Sequence, residues 1–253
     1  MPVDPSMSQS AYRLRFEWGL SGADAIGDGA DVAVIVDVLS FTTTLTVAVD
    51  AGIEVVPSRW RDSRAEQLAD QFDSALAVGR AAATSGQISL CPATVRAAPA
   101  PARLVLPSPN GSTIADELAG RVGVCVGASL RNADAAAQWI RATSPNAVIA
   151  VIAAGELWPD GSLRPAAEDL WGAGAVMSAL LNTGAVDASP EAVMAAAAWR
   201  AVEHEAGSEL RRCASGRELD ALGHPEDVTI AAEIGSSCCV PVLRGGMFAD
   251  ATR

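Results

Sequence analysis

The stretch VAVIVDVLSFTTTLTVAVD (Val32–Asp50) decides the fold. Its first part, Val32 to Leu39, is an apolar run broken only by Asp37. Runs of that kind are strands covered on both faces, as in a parallel sheet. Its second part reads as a helix from Thr42 to Asp50, stopped by Gly52. The junction carries one carboxylate, Asp37, and then hydroxyls at Ser40, Thr42, Thr43 and Thr44. Consecutive β-branched threonines are poor helix interior but good capping or anion-ligating residues at a helix start, where unpaired N–H groups favour negative charge. Plain capping would account for the hydroxyls alone. The acid beside them points to function.

The same strand-then-helix pattern repeats outward. YRLRF from Tyr12, IEVVP, SALAVG, RLVLP, VGVCVG, AVIAVIAAG and CCVPVL read as strands. Helices are expected from Arg61, from Gly111, from Asn132, over Ala166–Leu181, over about Ser208–Leu222 and briefly from Pro225. SPEAVMAAAAWRAVEHE is a helix with Ser189 as N-cap and Pro190 in the first position. Such alternation predicts an α/β fold, layered α/β/α, with a mostly parallel or mixed sheet. We read one α/β domain over residues 1–253, with room for two lobes and an irregular segment near 80–103. Gly172 and Gly174 in GAGAVM lie inside a helical pattern without a preceding strand, so they predict close helix packing, not a dinucleotide loop.

Composition narrows the function. A net charge of −12 argues against nucleic acid, which needs a basic footprint. No apolar run approaches the roughly 20 residues that span a bilayer, and no secretory leader is evident, so a cytoplasmic protein is expected. The five cysteines (Cys91, Cys125, Cys213, Cys238 and Cys239) include no C-x-x-C pair and read as reduced, buried thiols. His204 and His224 have no metal-binding spacing, so zinc is not expected. No G-x-S-x-G elbow supports a serine triad. The sequence leaves a homodimer open as the assembly.

In open α/β sheets, ligands sit at the carboxyl ends of strands. Four such ends are chemically loaded here. Asp37 and its hydroxyls form the first. LPSPNGST forms the second, with a tight turn at Asn110 and Gly111 and a helix opened by Ser112 and Thr113. It lacks the lysine and spacing of a nucleotide phosphate loop. VGASLRN forms the third, where Arg131 could clamp a phosphate and Asn132 opens a helix. The fourth is AAGELWPDGSLRPAAEDLWGAG, with Glu156 after the strand and Glu168 and Asp169 in the next first turn. Acids in a first turn are common dipole partners. Carboxylates gathered at neighbouring strand ends repel unless a cation lies between them, and oxygen-only ligands suit Mg²⁺.

Taken in order, VDVLSFTTT, VLPSPNGS, GASLRNA, AAGE and AAEDLWGAG resemble the 2-phosphosulfolactate phosphatase (ComB-like) family, from about Val32 to Leu243. The resemblance implies a Mg²⁺-dependent phosphatase of coenzyme M biosynthesis that converts 2-phosphosulfolactate, a small anionic phosphoester, to sulfolactate and phosphate. It implies Asp37, Glu168 and Asp169 as catalytic and metal-holding residues. Ser40, Thr42, Thr43, Thr44, Arg80, Asn110, Gly111, Ser112, Arg131 and Asn132 would surround the substrate. The family's first block reads D-V-L-R-A-T-T, so Ser40-Phe41 replaces Arg-Ala. Its middle block, with G-E-R and N-S-P, is reduced here to VGRAAATSGQISLCPATV, which keeps Gly79 and Arg80. These departures leave two alternatives open: a phosphatase for a different small phosphoester, or an anion-binding protein of the same fold without turnover. Arg80 or Arg131 could supply the positive charge that Ser40 lacks.

Overall fold

The computed structural model describes residues 7–182, 184 and 187–253. Residues 1–6, part of the segment read above for a leader, lie outside the described residues. The chain opens with β1 (Leu14–Trp18), α1 (Gly19–Gly27), β2 (Val32–Val36) and α2 (Phe41–Asp50). It continues through β3 (Glu54–Ser58), α3 (Ser63–Phe72), β4 (Ala75–Leu76), α4 (Pro92–Ala97), β5 (Arg103–Pro107) and α5 (Gly111–Leu118). Next come β6 (Val124–Ala128), α6 (Ala133–Thr143), β7 (Ile149–Ala153), a small hairpin of β8 (Glu156–Leu157) and β9 (Leu163–Arg164), and α7 (Ala167–Asn182). Helices α8 (Pro190–Arg200), α9 (Ala206–Arg212), α10 (Ala214–Ala221) and α11 (Pro225–Ala231) precede the hairpin of β10 (Pro241–Arg244) and β11 (Met247–Asp250).

Nine strands form one mixed, mostly parallel sheet in the order β1-β7-β2-β6-β10-β11-β3-β5-β4. Strand β2 is interior, with Val34 opposite Val151 of β7 on one side and Val126 of β6 on the other. Its side chains alternate between two cores, as a period of two requires. Val32, Val34 and Val36 join the helices α6 to α8, while Ala33 and Ile35 face α1, α2 and α5. Both faces are covered, which is why the run is apolar throughout.

The polarity of the sheet reverses at the last hairpin. Strand β10 is antiparallel to β6, β11 to β10, and β3 to β11. Strands β3, β5 and β4 therefore run opposite to β2, so the expectation of four ends on one edge of a parallel sheet is corrected. The Gly245-Gly246 turn that makes this hairpin holds both residues at positive φ (58° and 83°), the geometry that matches strand twist.

Glycines in α7 confirm the packing reading. A Cβ at Gly174 would lie 2.2 Å from the Ala195 carbonyl of α8, and one at Gly172 would meet Val36 and Val38. Ser189 caps α8, its hydroxyl accepting from the Ala192 N–H at 3.1 Å. The expected helix over about 208–222 is instead two, α9 and α10. Cys213 between them is extended, and Gly216 approaches the Leu210 carbonyl too closely for any side chain. Helix α1 and strand β11 are additions, and the segment near 80–103 contains one short 3₁₀ turn (Arg80–Ala82) and α4. Cysteines are free, and Cys238 is exposed where a buried thiol was expected. No helix among the described residues is long and apolar enough to cross a membrane.

Candidate active site

The loop after β2 is locked by Thr42. Its hydroxyl accepts from the Asp37 N–H (3.0 Å) and donates to the Asp37 carbonyl (2.8 Å). This leaves the Asp37 carboxylate between two helix starts. Oδ1 accepts from Phe41 N–H of α2 at 3.0 Å, and Oδ2 from Gly111 N–H of α5 at 2.8 Å. Ser108 Oγ donates to Oδ2 at 3.4 Å. Glycine at 111 is required, because a Cβ there would lie 2.4 Å from the Phe41 ring and 2.8 Å from Oδ2. The turn after β5 thus reaches β2 although the strands have opposite polarity. Five steps of the sheet separate them. At the usual twist this is roughly 100–125° of accumulated rotation, so β5 is far from antiparallel to β2.

Asp169 is the second anchor. Its Oδ1 accepts from Val38 N–H (2.7 Å) and its Oδ2 from Gly155 N–H (2.8 Å), so α7 ties the end of β2 to that of β7. Glu168, 2% exposed, is beside it, and its Oε2 has no hydrogen-bond partner among the described residues. Asn110 Nδ2 donates to Glu156 Oε2 at 2.9 Å. Asp37, Glu156, Glu168 and Asp169 act on one another electrostatically. Burial pushes the Asp169 carboxyl well above the carboxylate range, and Asp37 and Glu168 push it further. Burial also raises Asp37, against the N–H groups of Phe41 and Gly111. Glu156 is pushed up to about 7, first by burial and then by Asp37.

These groups adjoin a cleft of about 160 Å³ lined by Asp37, Ser40, Arg80, Ser108, Asn110 and Glu156, with Arg61 and α10 completing the rim. Glu168 and Asp169 are not among its lining residues. Arg80 Nη2 donates to Ser40 Oγ at 3.0 Å, and Arg80 Nε to Cys91 Sγ at 3.0 Å. A guanidinium from the eroded middle block therefore stands beside Ser40.

Several residues expected around a ligand are engaged within the fold instead. Arg131 is buried, donates to Thr46 Oγ1 at 3.0 Å and pairs with Asp50 and Glu233. Asn132 accepts from Ser129 N–H and donates to the carbonyls of Gly127 and Cys239, closing the turn after β6. Thr44 and Ser112 donate to the carbonyls of Leu90 and Leu106. Thr43 is fully buried, its hydroxyl without a partner among the described residues. Gly111 spends its N–H on Asp37. Of the residues expected around a ligand, Ser40, Arg80 and Asn110 do line the cleft, and Ser108 joins them. Ser108 and Arg61 carried no distinguishing signal in the sequence, whereas Glu156 did, by following β7.

This is an α/β protein with a small polar cleft, one arginine beside a serine, and four interacting carboxylates where strand ends meet. A family profile described as 2-phosphosulpholactate phosphatase matches residues 23–246. A protein of Parasynechococcus marenigrum (strain WH8102) is 32% identical over 220 residues, covering 83% of this chain and 88% of that one. One from Thermus thermophilus is 31% identical over 219 residues (85% and 89%), and one from Deinococcus radiodurans 30% over 220 (85% and 89%). Each is named "Probable 2-phosphosulfolactate phosphatase". The chain belongs to the 2-phosphosulfolactate phosphatase family.

Proposed function

We propose that this chain is a Mg²⁺-dependent phosphatase acting on a small anionic phosphomonoester of the 2-phosphosulfolactate type, leaving sulfolactate and phosphate. The carrying observation is the buried Glu168 Oε2, unpartnered among the described residues beside Asp37 and Asp169 and next to a cleft lined by Arg80. An orphaned carboxylate oxygen among other carboxylates fits a hard cation with oxygen ligands. Asp37, Glu168 and Asp169 would hold Mg²⁺, directly or through water. When bound, Mg²⁺ supplies Lewis-acid polarisation of a phosphoryl oxygen.

The chain's own residues do the rest. Backbone N–H groups hold both Asp37 oxygens in place, so no reorientation is needed during reaction. Arg80 and Ser40 bind the anion, and Asn110 fixes Glu156. A Glu156 carboxyl balanced near pH 7 holds a proton that it can pass to the leaving alkoxide. The test is phosphate release from 2-phosphosulfolactate and a panel of small phosphoesters, with Mg²⁺ and with EDTA. Release that requires Mg²⁺ and stops with EDTA is expected. No release from any ester would overturn the proposal.

Arg80 is expected to carry the anion affinity, standing in for the arginine that the family's first block places where this chain has Ser40. A charged hydrogen bond contributes roughly 1.5–3 kcal/mol, so Arg80→Ala should raise KM about 10- to 150-fold. Ser40→Arg alone brings a second guanidinium against Arg80, which donates to Ser40 Oγ at 3.0 Å, and should not improve turnover. In the Arg80→Ala background the same change should recover affinity. Steady-state kinetics of the four proteins decide it, and an unchanged KM in Arg80→Ala rules out this role.

A further inference from the structure

A second group of ligating side chains lies beside the cleft. Cys91 precedes α4, His224 precedes α11, and Asp227 is in the first turn of α11. One donor atom from each lies within 4.8 Å of the others, and Cys91 Sγ is 3.8 Å from His224 Nδ1. Tetrahedral zinc, with bonds of about 2.0–2.3 Å, sets donor atoms roughly 3.3–3.6 Å apart. Closing the group requires a few tenths of an ångström between sulfur and nitrogen and modest side-chain rotation elsewhere.

Asp227 is 1% exposed, yet its Oδ2 makes no hydrogen bond among the described residues. The cation facing it is Arg80, at 3.6 Å, beyond hydrogen-bond length. Arg80 also donates to Cys91 Sγ. One guanidinium, a quarter exposed, thus serves two of the three ligands at once, bonded to Cys91 but only near Asp227, while its Nη2 reaches Ser40 in the cleft. Burial pushes both the Asp227 carboxyl and the Cys91 thiol upward, and Arg80 opposes the shift at each.

We propose that Cys91, His224 and Asp227 form a site for a thiophilic divalent cation such as Zn²⁺, in competition with Arg80. Thiolate and imidazole select such an ion over Mg²⁺, which prefers oxygen. Three protein ligands leave a fourth position for water. On binding, the Cys91 thiol loses its proton to solvent and the ion takes the charge-neutralising role at Asp227. Arg80, displaced from Cys91 and Asp227, keeps its partner Ser40 and turns wholly toward the cleft. The site differs from the carboxylate cluster in ligands and metal preference, and its existence does not depend on phosphatase turnover. Ligands 133 residues apart explain why no spacing in the sequence showed it.

The probe is Co²⁺, titrated into the reduced, metal-stripped full chain. A thiolate-to-cobalt band in the near ultraviolet, with tetrahedral bands in the visible, should saturate at about one ion per chain and be displaced by Zn²⁺. Cys91→Ser, close to isosteric and checked for folding by near-UV circular dichroism, should lose the near-ultraviolet band. His224→Ala and Asp227→Asn should weaken binding by about 100-fold or more. Arg80→Gln should bind Co²⁺ more tightly than the parent. Absence of the band in the parent, or its survival in Cys91→Ser, overturns the site. Weaker binding in Arg80→Gln overturns the competition.

Discussion

Asp37→Asn is expected to lower phosphate release by at least about 1,000-fold while the protein stays folded. Both carboxylate oxygens accept backbone N–H groups, from Phe41 and Gly111. An asparagine turns one acceptor into a donor, so its amide faces an N–H and one of the two bonds is lost. One lost bond costs about 1–3 kcal/mol of local order. Removing a charge from a cluster of four carboxylates relieves repulsion and offsets part of that cost. Mg²⁺ is expected to raise the melting temperature of the parent and not that of the variant, because one of three proposed ligands becomes neutral. Kinetics and calorimetry with and without Mg²⁺ check both outcomes. Full activity in Asp37→Asn would remove Asp37 from the site.

The second large effect is on stability, and its sign follows from the raised carboxyls. Glu156 has an ordinary value of 4.5 and stands at about 7 in the fold, with burial the leading cause and Asp37 next. Between those values the folded chain binds more protons than the unfolded one. The contribution is full below about 4.5 and is lost as the pH climbs through about 7. Glu156 alone accounts for on the order of 3 kcal/mol. Asp37 and Asp169 are raised too, so they act in the same direction. The metal-free protein should therefore melt on the order of 5–10 °C lower at pH 8 than at pH 5. Of the groups acting on Glu156, Asp37 and Glu168 sharpen the effect, and Asn110 and Arg164 oppose it. Glu156→Gln should flatten the slope, and saturating Mg²⁺ should raise the melting point most at pH 8. A melting temperature that is level or rising from pH 5 to 8 in the metal-free parent would contradict the proposed electrostatics.

What local chain neighbours dictate was legible in the sequence. The apolar run at Val32–Val36 is a doubly covered strand, Ser189-Pro190 opens a helix, and Gly172 and Gly174 are packing glycines. An acid where an apolar run stops pointed to Asp37, because charge there is costly without a partner, and Glu168 and Asp169 stood out in a helix first turn soon after another run. Which hydroxyl faces the cleft was not legible. Thr42, Thr43 and Thr44 are consecutive, yet one locks its own loop, one is buried, and one holds Leu90, since a helix turns each residue in a different direction. The same limit governed the arginines. Arg131 looked placed for an anion beside its strand end, but Asp50 and Glu233, far along the chain, hold it inside.

By itself, then, the sequence determined the alternation of strands and helices, the family, and the acids at the strand ends, because periodicity, capping and charge at a strand end act between near neighbours. Only the tertiary structure decided the reversal of the sheet at β10 and β11, the placing of Arg80 and not Arg131 in the cleft wall, and the meeting of Cys91 with His224 and Asp227. Those are pairings of buried polar groups across long stretches of chain, and such a pairing exists only once packing has chosen which surfaces meet.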